Sequence, residues 1–124
     1  MSVSSRDFLL FASECLSGED EIWFRNAVAR SYYAAYHHTR KHFPQAPQES
    51  HARLIYYLAG EEAARKEPAT ENQLKSLAYI LREMKKKRII ADYKLEKTVS
   101  RREAENCIQQ CNKLIKKISD INTQ

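Results

Sequence analysis

Apolar side chains recur at the three- and four-residue spacing of amphipathic helices along most of this chain. The cleanest repeat follows Ser100 and comprises Ala104, Cys107, Ile108, Cys111, Leu114, Ile115, Ile118 and Ile121. An earlier repeat follows Thr70 and comprises Leu74, Leu77, Ala78, Leu81 and Met84. Both repeats begin with the spacing of a capping box, in which Ser or Thr precedes Glu or Gln by three residues. The pattern therefore predicts two long helices in the second half of the chain. The helix that follows Thr70 is expected to reach Arg88 or beyond.

Three further helices are predicted in the first half of the chain. The first runs from about Ser4 to Leu16, the second from near Glu19 to just before Pro44, and the third from about Ser50 to Ala64. No strand-like alternation of useful length and no internal repeat interrupts this pattern. We therefore predict one all-α domain over residues 1–124, an antiparallel bundle of four to five helices.

The composition supports a helical fold and a cytoplasmic protein. Only 2 Gly and 3 Pro occur, so turn-forming residues are scarce. No apolar run approaches the roughly 20 residues that cross a bilayer, and the N-terminus turns acidic too soon for a secretory signal. Cys107 and Cys111 lie among the apolar positions and are expected to be small core residues in a reducing compartment. We expect no membrane contact, no metal and no cofactor.

Basic side chains exceed acidic ones, with 21 Lys and Arg against 16 Asp and Glu and a formal net charge of +5. This balance permits contact with nucleic acid or with an acidic protein. The densest basic run includes Lys86, Lys87 and Arg88. Such a run is usually a solvated helix face, and the alternative is a patch that guides RNA. Both interpretations stay open at this point.

The second predicted helix has two distinct sides. At about 100° per residue, one side gathers its core positions, Phe24, Val28, Tyr32, Ala35, Thr39 and Phe43. The roughly opposite side gathers Asn26, Arg30, Tyr33, Ala34 and His37. This second side is either a packing surface, for a bundle neighbour or a homodimer seam, or a site where Arg30 and His37 act on a phosphodiester. Asn26, Tyr33 and Ala34 would support the site or form the seam.

The remaining histidines carry weaker indications. His38 and His42 are four residues apart and could share a metal ion, but no third ligand is evident beside them. His51 stands at a predicted helix start and is expected to be a loop or capping residue. These residues do not change the expectation that the protein has no metal site.

The stretch RNAVARSYYAAYHH, Arg25 to His38, resembles the second helix of small HEPN domains, which often read AxxRxYYAxxH. RIIADY, Arg88 to Tyr93, resembles the RxxADY element after the fourth helix of standalone members. SRREAE, Ser100 to Glu105, resembles the start of their last helix. Together these segments occur in the family's order and span most of the chain.

The resemblance implies a bundle of four to five helices that is usually a homodimer and is often encoded beside a minimal nucleotidyltransferase in toxin–antitoxin or phage-defence settings. Many HEPN proteins are metal-independent ribonucleases, with an arginine followed after four to six residues by a histidine. Arg30 and His37 are the pair with that spacing here. In established members the motif commonly lies on a late helix, where this chain has a second candidate cluster, Arg88, Asp92 and Tyr93.

Two functions follow from these expectations. In the first, the protein is an endoribonuclease in which Arg30 binds phosphate, His37 is the acid and base, and Lys86, Lys87 and Arg88 guide RNA. In the second, it is a non-catalytic module that binds a nucleotidyltransferase partner or a nucleotide. The second function would use the same side of the second helix as an interaction surface.

Overall fold

The computed structural model describes residues 2–123, which form helices joined by short loops. The six helices are α1 (Ser5–Cys15), α2 (Glu21–His42), α3 (His51–Ala59), α4 (Glu61–Lys66), α5 (Glu71–Tyr93) and α6 (Arg101–Asn122). No strand occurs within this range, so the predicted all-α fold is confirmed. No helix in the described part of the chain is long and apolar enough to span a membrane.

The starts of the two long C-terminal helices follow the predicted capping residues. The Thr70 hydroxyl accepts the backbone N–H of Gln73 at 3.1 Å, and the Gln73 side chain accepts the backbone N–H of Thr70 at 2.8 Å. This is a complete capping box. At α6, the Ser100 hydroxyl accepts the backbone N–H of Glu103 at 3.1 Å without a reciprocal bond. The predicted second box is therefore half formed.

The prediction of one third helix from Ser50 to Ala64 is wrong, because this segment forms two helices, α3 and α4, that are separated at Gly60. Gly60 has an extended backbone, with φ −101° and ψ 178°, and its N–H bonds the carbonyl of Tyr57 at 3.1 Å. Glycine is about 1 kcal/mol less favourable than alanine within a helix, so a break costs least at this position. After α4, the Tyr57 hydroxyl donates to the Glu67 carboxylate at 2.6 Å and ties the segment back to α3.

The core surrounds α2, which packs against α1, α5 and α6. Of the predicted core face, Val28, Tyr32, Ala35, Thr39 and Phe43 are buried and Phe24 is half-buried. The predicted core face is thus confirmed. The cysteines Cys15, Cys107 and Cys111 are free and buried, and burial raises the pKa of Cys111 to about 12. That thiol stays protonated and acts as a small apolar side chain, as predicted.

The opposite side of α2 is also covered, which corrects the predicted role of Ala34. Ala34 is 0% exposed and belongs to the main core cluster of the protomer. Ala27, Ala29 and Ser31 are buried as well. Small side chains let neighbouring helices approach α2 closely, so these positions serve packing within one chain. Ala34 therefore cannot form a homodimer seam.

We expect Ala34→Glu to destabilise the folded protomer by roughly 3 kcal/mol or more, because the larger side chain overpacks the core and buries an unpaired carboxylate. The measurement is the free energy of unfolding in urea. Ser13→Glu, at an exposed position of α1, adds the same charge and should leave stability nearly unchanged. An Ala34→Glu variant that is as stable as the wild type would contradict the packing described for α2.

Arg25 joins α2 to the C-terminal end of α5. It is only 6% exposed, and its Nε lies 2.7 Å from the Glu21 carboxylate. Its Nη1 donates to the carbonyls of Ile90 at 3.1 Å and Ala91 at 2.9 Å, and its Nη2 donates to the carbonyl of Lys97. Carbonyls at the end of a helix have no partner within the helix. Arg25 supplies that partner for Ala91, adds a second bond to the Ile90 carbonyl, which also accepts the N–H of Lys94 at 3.0 Å, and so fixes the last turns of α5, which carry Arg88.

Candidate functional site

Tyr33 connects two groups of residues that the sequence places on different helices. Its hydroxyl accepts a hydrogen bond from Arg88 Nη2 at 2.9 Å. The guanidinium carbons of Arg30 and Arg88 lie 5.1 and 5.4 Å from the centroid of the Tyr33 ring. Both distances are typical of cation–π contacts. The two candidate clusters of the sequence, one around Arg30 and one around Arg88, therefore form a single surface centred on Tyr33.

Arg88 is held in place by the residues that follow it on α5. Its Nε lies 3.1 Å from the Asp92 carboxylate, and its guanidinium carbon lies 5.7 Å from the centroid of the Tyr93 ring. The predicted grouping of Arg88, Asp92 and Tyr93 is thus present in space. The Nε is buried and is not aligned for a hydrogen bond despite its distance to Asp92. We describe the contact as an ion pair, which leaves one guanidinium donor unsatisfied.

His51 belongs to the same surface, although it was expected to be only a loop or capping residue. It is the first residue of α3, and its ring stacks on Tyr36 with a centroid distance of 3.7 Å. Its Nδ1 lies 2.8 Å from the hydroxyl oxygen of Tyr32. The Tyr33 ring lies edge-on to it at 6.3 Å. The side chain therefore sits between the tyrosines of α2 and the basic residues of α5.

The hydrogen bond to Tyr32 fixes the tautomer that we assign to His51. Burial raises the pKa of the Tyr32 phenol well above its usual range, so the phenol keeps its proton. Burial, followed by the charge of Arg88, lowers the pKa of His51 and keeps the ring neutral. The buried Tyr32 hydroxyl then donates to Nδ1, and the ring proton resides on Nε2. His51 thus offers an N–H donor from its other nitrogen.

His37 differs from His51 because it makes no hydrogen bond within residues 2–123. Its ring stacks on Phe8 of α1 at 5.4 Å and meets Tyr36 edge-on at 5.2 Å. Burial and then the charge of Arg40 lower its pKa, so the ring is neutral at pH 7 and has a free lone pair. Phe8 shows that α1 covers part of the predicted polar side of α2. His37 remains half-exposed beside it.

Two lysines of the predicted RNA-guiding run lie away from these histidines. Lys86 pairs with Glu83 at 3.0 Å, and Lys87 lines a groove between α5 and α6. Because a helix turns about 100° per residue, Lys86 and Lys87 point in directions different from that of Arg88, whereas Lys85, three residues before Arg88, points in nearly the same direction. Lys85 and Arg88 share the face toward His51, and the charges of both lower its pKa. Of the predicted RNA-guiding run, Arg88 therefore belongs to the surface centred on Tyr33, and a role of Lys86 and Lys87 in RNA binding stays a prediction.

Asn26 makes its side-chain hydrogen bond within α2. Its side chain donates to the backbone carbonyl of Ile22 at 3.2 Å and so supports only its own helix. The structure brings together six of the predicted residues, namely Arg30, Tyr33, His37, Arg88, Asp92 and Tyr93. We refer to Arg30, Tyr33, His37, His51 and Arg88 as the Tyr33 cluster.

Two open grooves lie near the Tyr33 cluster: the first includes Arg30, and the second includes Lys85, one helical turn before Arg88. One groove of about 250 Å³ is lined by Val3, Asp7, Phe8, Phe11 and Arg30. The other, of about 210 Å³, is lined by Ala52, Ile55, Tyr56, Arg82 and Lys85. Both are smaller than the roughly 300–1,000 Å³ usual for a pocket that encloses a small molecule. The cluster therefore suits a ligand that lies across the surface and extends into both grooves.

The remaining histidine pair does not make a metal centre. The rings of His38 and His42 are 4.5 Å apart, and His42 Nδ1 lies 3.2 Å from the amide nitrogen of Asn122. Within residues 2–123, no three His, Cys, Asp or Glu side chains converge as metal ligands would. The Tyr33 cluster itself contributes two imidazoles whose pKa values are lowered by burial, and two guanidinium groups.

No family model matches this chain, and no curated protein or solved structure matches it. The role of the Tyr33 cluster must therefore be inferred from its own geometry and charge. A free imidazole and two guanidinium groups on one open surface can bind an anion and accept a proton beside it.

Proposed function

We propose that this protein is a metal-independent endoribonuclease of the HEPN type that acts as a homodimer in a toxin–antitoxin or phage-defence setting. The observation that carries the proposal is the Tyr33 cluster, in which a free neutral His37 lies on the same surface as two arginines held on one tyrosine ring. The three sequence segments that resemble HEPN domains support it, and two of them, Arg25 to His38 and Arg88 to Tyr93, contribute to this surface.

The reaction that suits these groups is transesterification within RNA. His37 accepts the proton of a ribose 2′-hydroxyl, and the oxygen attacks the adjacent phosphorus. The bond from phosphorus to the 5′ oxygen breaks, and that oxygen takes a proton from water, which an open site admits. The products are a 2′,3′-cyclic phosphate and a 5′-hydroxyl. No metal ion is needed, because the internal hydroxyl is the nucleophile.

The arginines and His51 act on the negative charge of the phosphate. Arg88 on α5 and Arg30 on α2 both present guanidinium donors. The planar, forked guanidinium group matches the geometry of phosphate oxygens. The Nε2–H of His51 adds a neutral donor, which Tyr32 keeps in the required tautomer. These donors stabilise the charge that builds on phosphorus oxygens in the transition state.

We propose that the homodimer forms through α1 and the start of α2 and not through Ala34. Four large apolar side chains are about half exposed or more there: Leu10, Phe11, Ile22 and Trp23. Exposed apolar residues on neighbouring elements are typical of protein interfaces. Phe11 shares a groove with Arg30, so a second copy would lie next to the Tyr33 cluster.

We expect sedimentation at micromolar concentration to give the mass of two chains. Phe11→Asp should shift the mass to one chain, because a charge would enter the apolar seam. Ser13→Asp, an exposed substitution on the same helix, is the matched control and should leave the dimer intact. A wild-type protein that sediments as one chain contradicts the dimer.

The second candidate is a non-catalytic module that binds a nucleotidyltransferase partner or a nucleotide. The stacking of Phe8 on His37 favours it, because that contact reduces access to one side of the ring. This module would bind its partner through the same surface and would not cleave RNA.

Incubation with RNA and with DNA of the same sequence, both in EDTA, tests the proposed function. We expect the purified protein to cleave the RNA and leave the DNA intact, because DNA lacks the 2′-hydroxyl. Intact RNA would contradict the proposed ribonuclease and favour the non-catalytic module. Cleavage of both strands would point to a different chemistry.

A further inference from the structure

We infer that Tyr56 is a stacking platform for an unpaired base of the RNA and gives the protein a preference for single strands. This inference rests on the proposed ribonuclease function and names the form of its substrate. It concerns a surface on α3 and α5 that the proposed reaction at the Tyr33 cluster does not use.

Tyr56 has the most exposed aromatic side chain in the described part of the chain, at 82%. Its ring makes no aromatic contact, and its hydroxyl makes no hydrogen bond, within residues 2–123. A single exposed tyrosine is common on protein surfaces. Tyr56 differs because it stands at the border of two grooves, one of about 210 Å³ and one of about 810 Å³. A flat ligand can therefore reach the ring from either groove.

The surroundings of Tyr56 are basic on the side of the smaller groove. Arg82 and Lys85 line that groove, and Arg53 lines the larger one. None of these three cations forms a salt bridge with a residue among 2–123. The larger groove also contains Glu61 and Glu62, of which Glu62 pairs with Lys66 at 2.9 Å. The smaller groove thus offers an aromatic ring beside free cations, which is the combination that binds a nucleotide.

The smaller groove approaches the Tyr33 cluster along α5, because Lys85, which lines it, is three residues before Arg88. Ala52, which lines it, follows His51 in the chain, and Lys85 is close enough to His51 to lower its pKa. Tyr56 is five residues beyond His51, about 7.5 Å along the helix axis and about 140° around it, so the path from Tyr56 to the cluster runs along α5, past Lys85 to Arg88. A nucleotide adjacent to the cleaved phosphate can therefore place its base on Tyr56 while Arg82 or Lys85 contacts its phosphate.

A base can stack on a side chain only if it is not already stacked between neighbouring bases and paired in a duplex. Bases in a duplex are stacked on each other and cannot lie on a tyrosine without being unpaired, whereas bases in a single strand can. Removal of one stacking ring commonly weakens single-strand binding by roughly tenfold. Duplex binding, which uses phosphate contacts, should depend little on Tyr56.

Tyr79 provides a matched control. It is also a tyrosine on a helix and is 62% exposed. Its groove, however, contains Glu83 and Glu103 with only one lysine, Lys87. If Tyr56 acts through its basic surroundings, Tyr79→Ala should not weaken RNA binding.

The test is fluorescence anisotropy of a labelled single-stranded RNA and a labelled RNA duplex in EDTA, with His37→Ala in every protein to prevent cleavage. We expect Tyr56→Ala to weaken single-strand binding about tenfold, Tyr56→Trp to retain it, and Tyr79→Ala to leave it unchanged. Binding that is equal in Tyr56→Ala and Tyr79→Ala would overturn the stacking role alone. Equal loss of single-strand and duplex binding in Tyr56→Ala would overturn it as well. Absence of RNA binding by the His37→Ala parent would overturn both this inference and the proposed function.

Discussion

His37→Ala is expected to slow RNA cleavage by roughly 100-fold to 10,000-fold, the usual contribution of a general base. The substitution removes the neutral imidazole that is free of hydrogen bonds beside the two arginines. His37 is only half-buried, so the melting temperature should stay within a few degrees of the wild-type value. The measurement is the single-turnover rate on a labelled RNA in EDTA, with the melting temperature recorded on the same preparation.

The pH dependence of this rate separates a base from a packing residue. Burial lowers the pKa of His37 below its ordinary value of 6.5, so the neutral form persists at pH 7. The rate should therefore fall only as the pH drops below 6.5 and the ring takes up a proton. His42→Ala, at the last position of the same helix, is the control and should retain activity. A His37→Ala protein that is much less stable but still cleaves RNA would assign His37 a packing role only.

Arg25→Leu is expected to lower the free energy of unfolding by about 1–3 kcal/mol or more, the usual loss when buried hydrogen-bond acceptors are left without a donor. The leucine cannot donate to the carbonyls of Ile90, Ala91 and Lys97, which Arg25 now serves. Glu21 is partly exposed, so its carboxylate can recover water and adds little to the loss. The measurement is unfolding in urea at pH 7.

Arg101→Leu is the matched control for Arg25→Leu. Arg101 also pairs with a glutamate four residues along its helix, at 3.0 Å, but its side chain is 54% exposed. Removal of such a surface pair should cost less than about 1 kcal/mol. Equal stabilities of the two variants would show that the contacts of Arg25 with the end of α5 contribute nothing measurable.

Local features of this fold could be predicted from the sequence, because their causes lie within a few residues. Thr70 and Ser100 mark helix starts through bonds to the third residue that follows. The core side of α2 and the apolar side of α6 follow from helical spacing alone. The helix break at Gly60 is a local feature that the predicted third helix does not include, although a glycine within an apolar repeat is a known signal for such a break.

The remaining features depend on contacts between distant parts of the chain. Helical spacing shows which positions share a side of α2, but not that Ala34 is buried or that Phe8 of α1 stacks on His37. His51 meets Tyr32 and Tyr36 only because the loop after α2 folds back, and no spacing rule links these residues. The contact between Arg88 and Tyr33 joins positions 55 residues apart. The two candidate clusters could therefore be listed separately from the sequence but not joined.

The termini of the cleavage products test the central proposal most directly, because the proposed reaction uses the 2′-hydroxyl as its nucleophile. Mass spectrometry of a short RNA after incubation with the wild-type protein in EDTA identifies those termini. The proposed reaction predicts fragments that end in a 2′,3′-cyclic phosphate and begin with a 5′-hydroxyl, and an uncut strand when the ribose at the cleaved position is 2′-deoxy. Fragments with a 3′-hydroxyl and a 5′-phosphate, or RNA that stays intact, would contradict it.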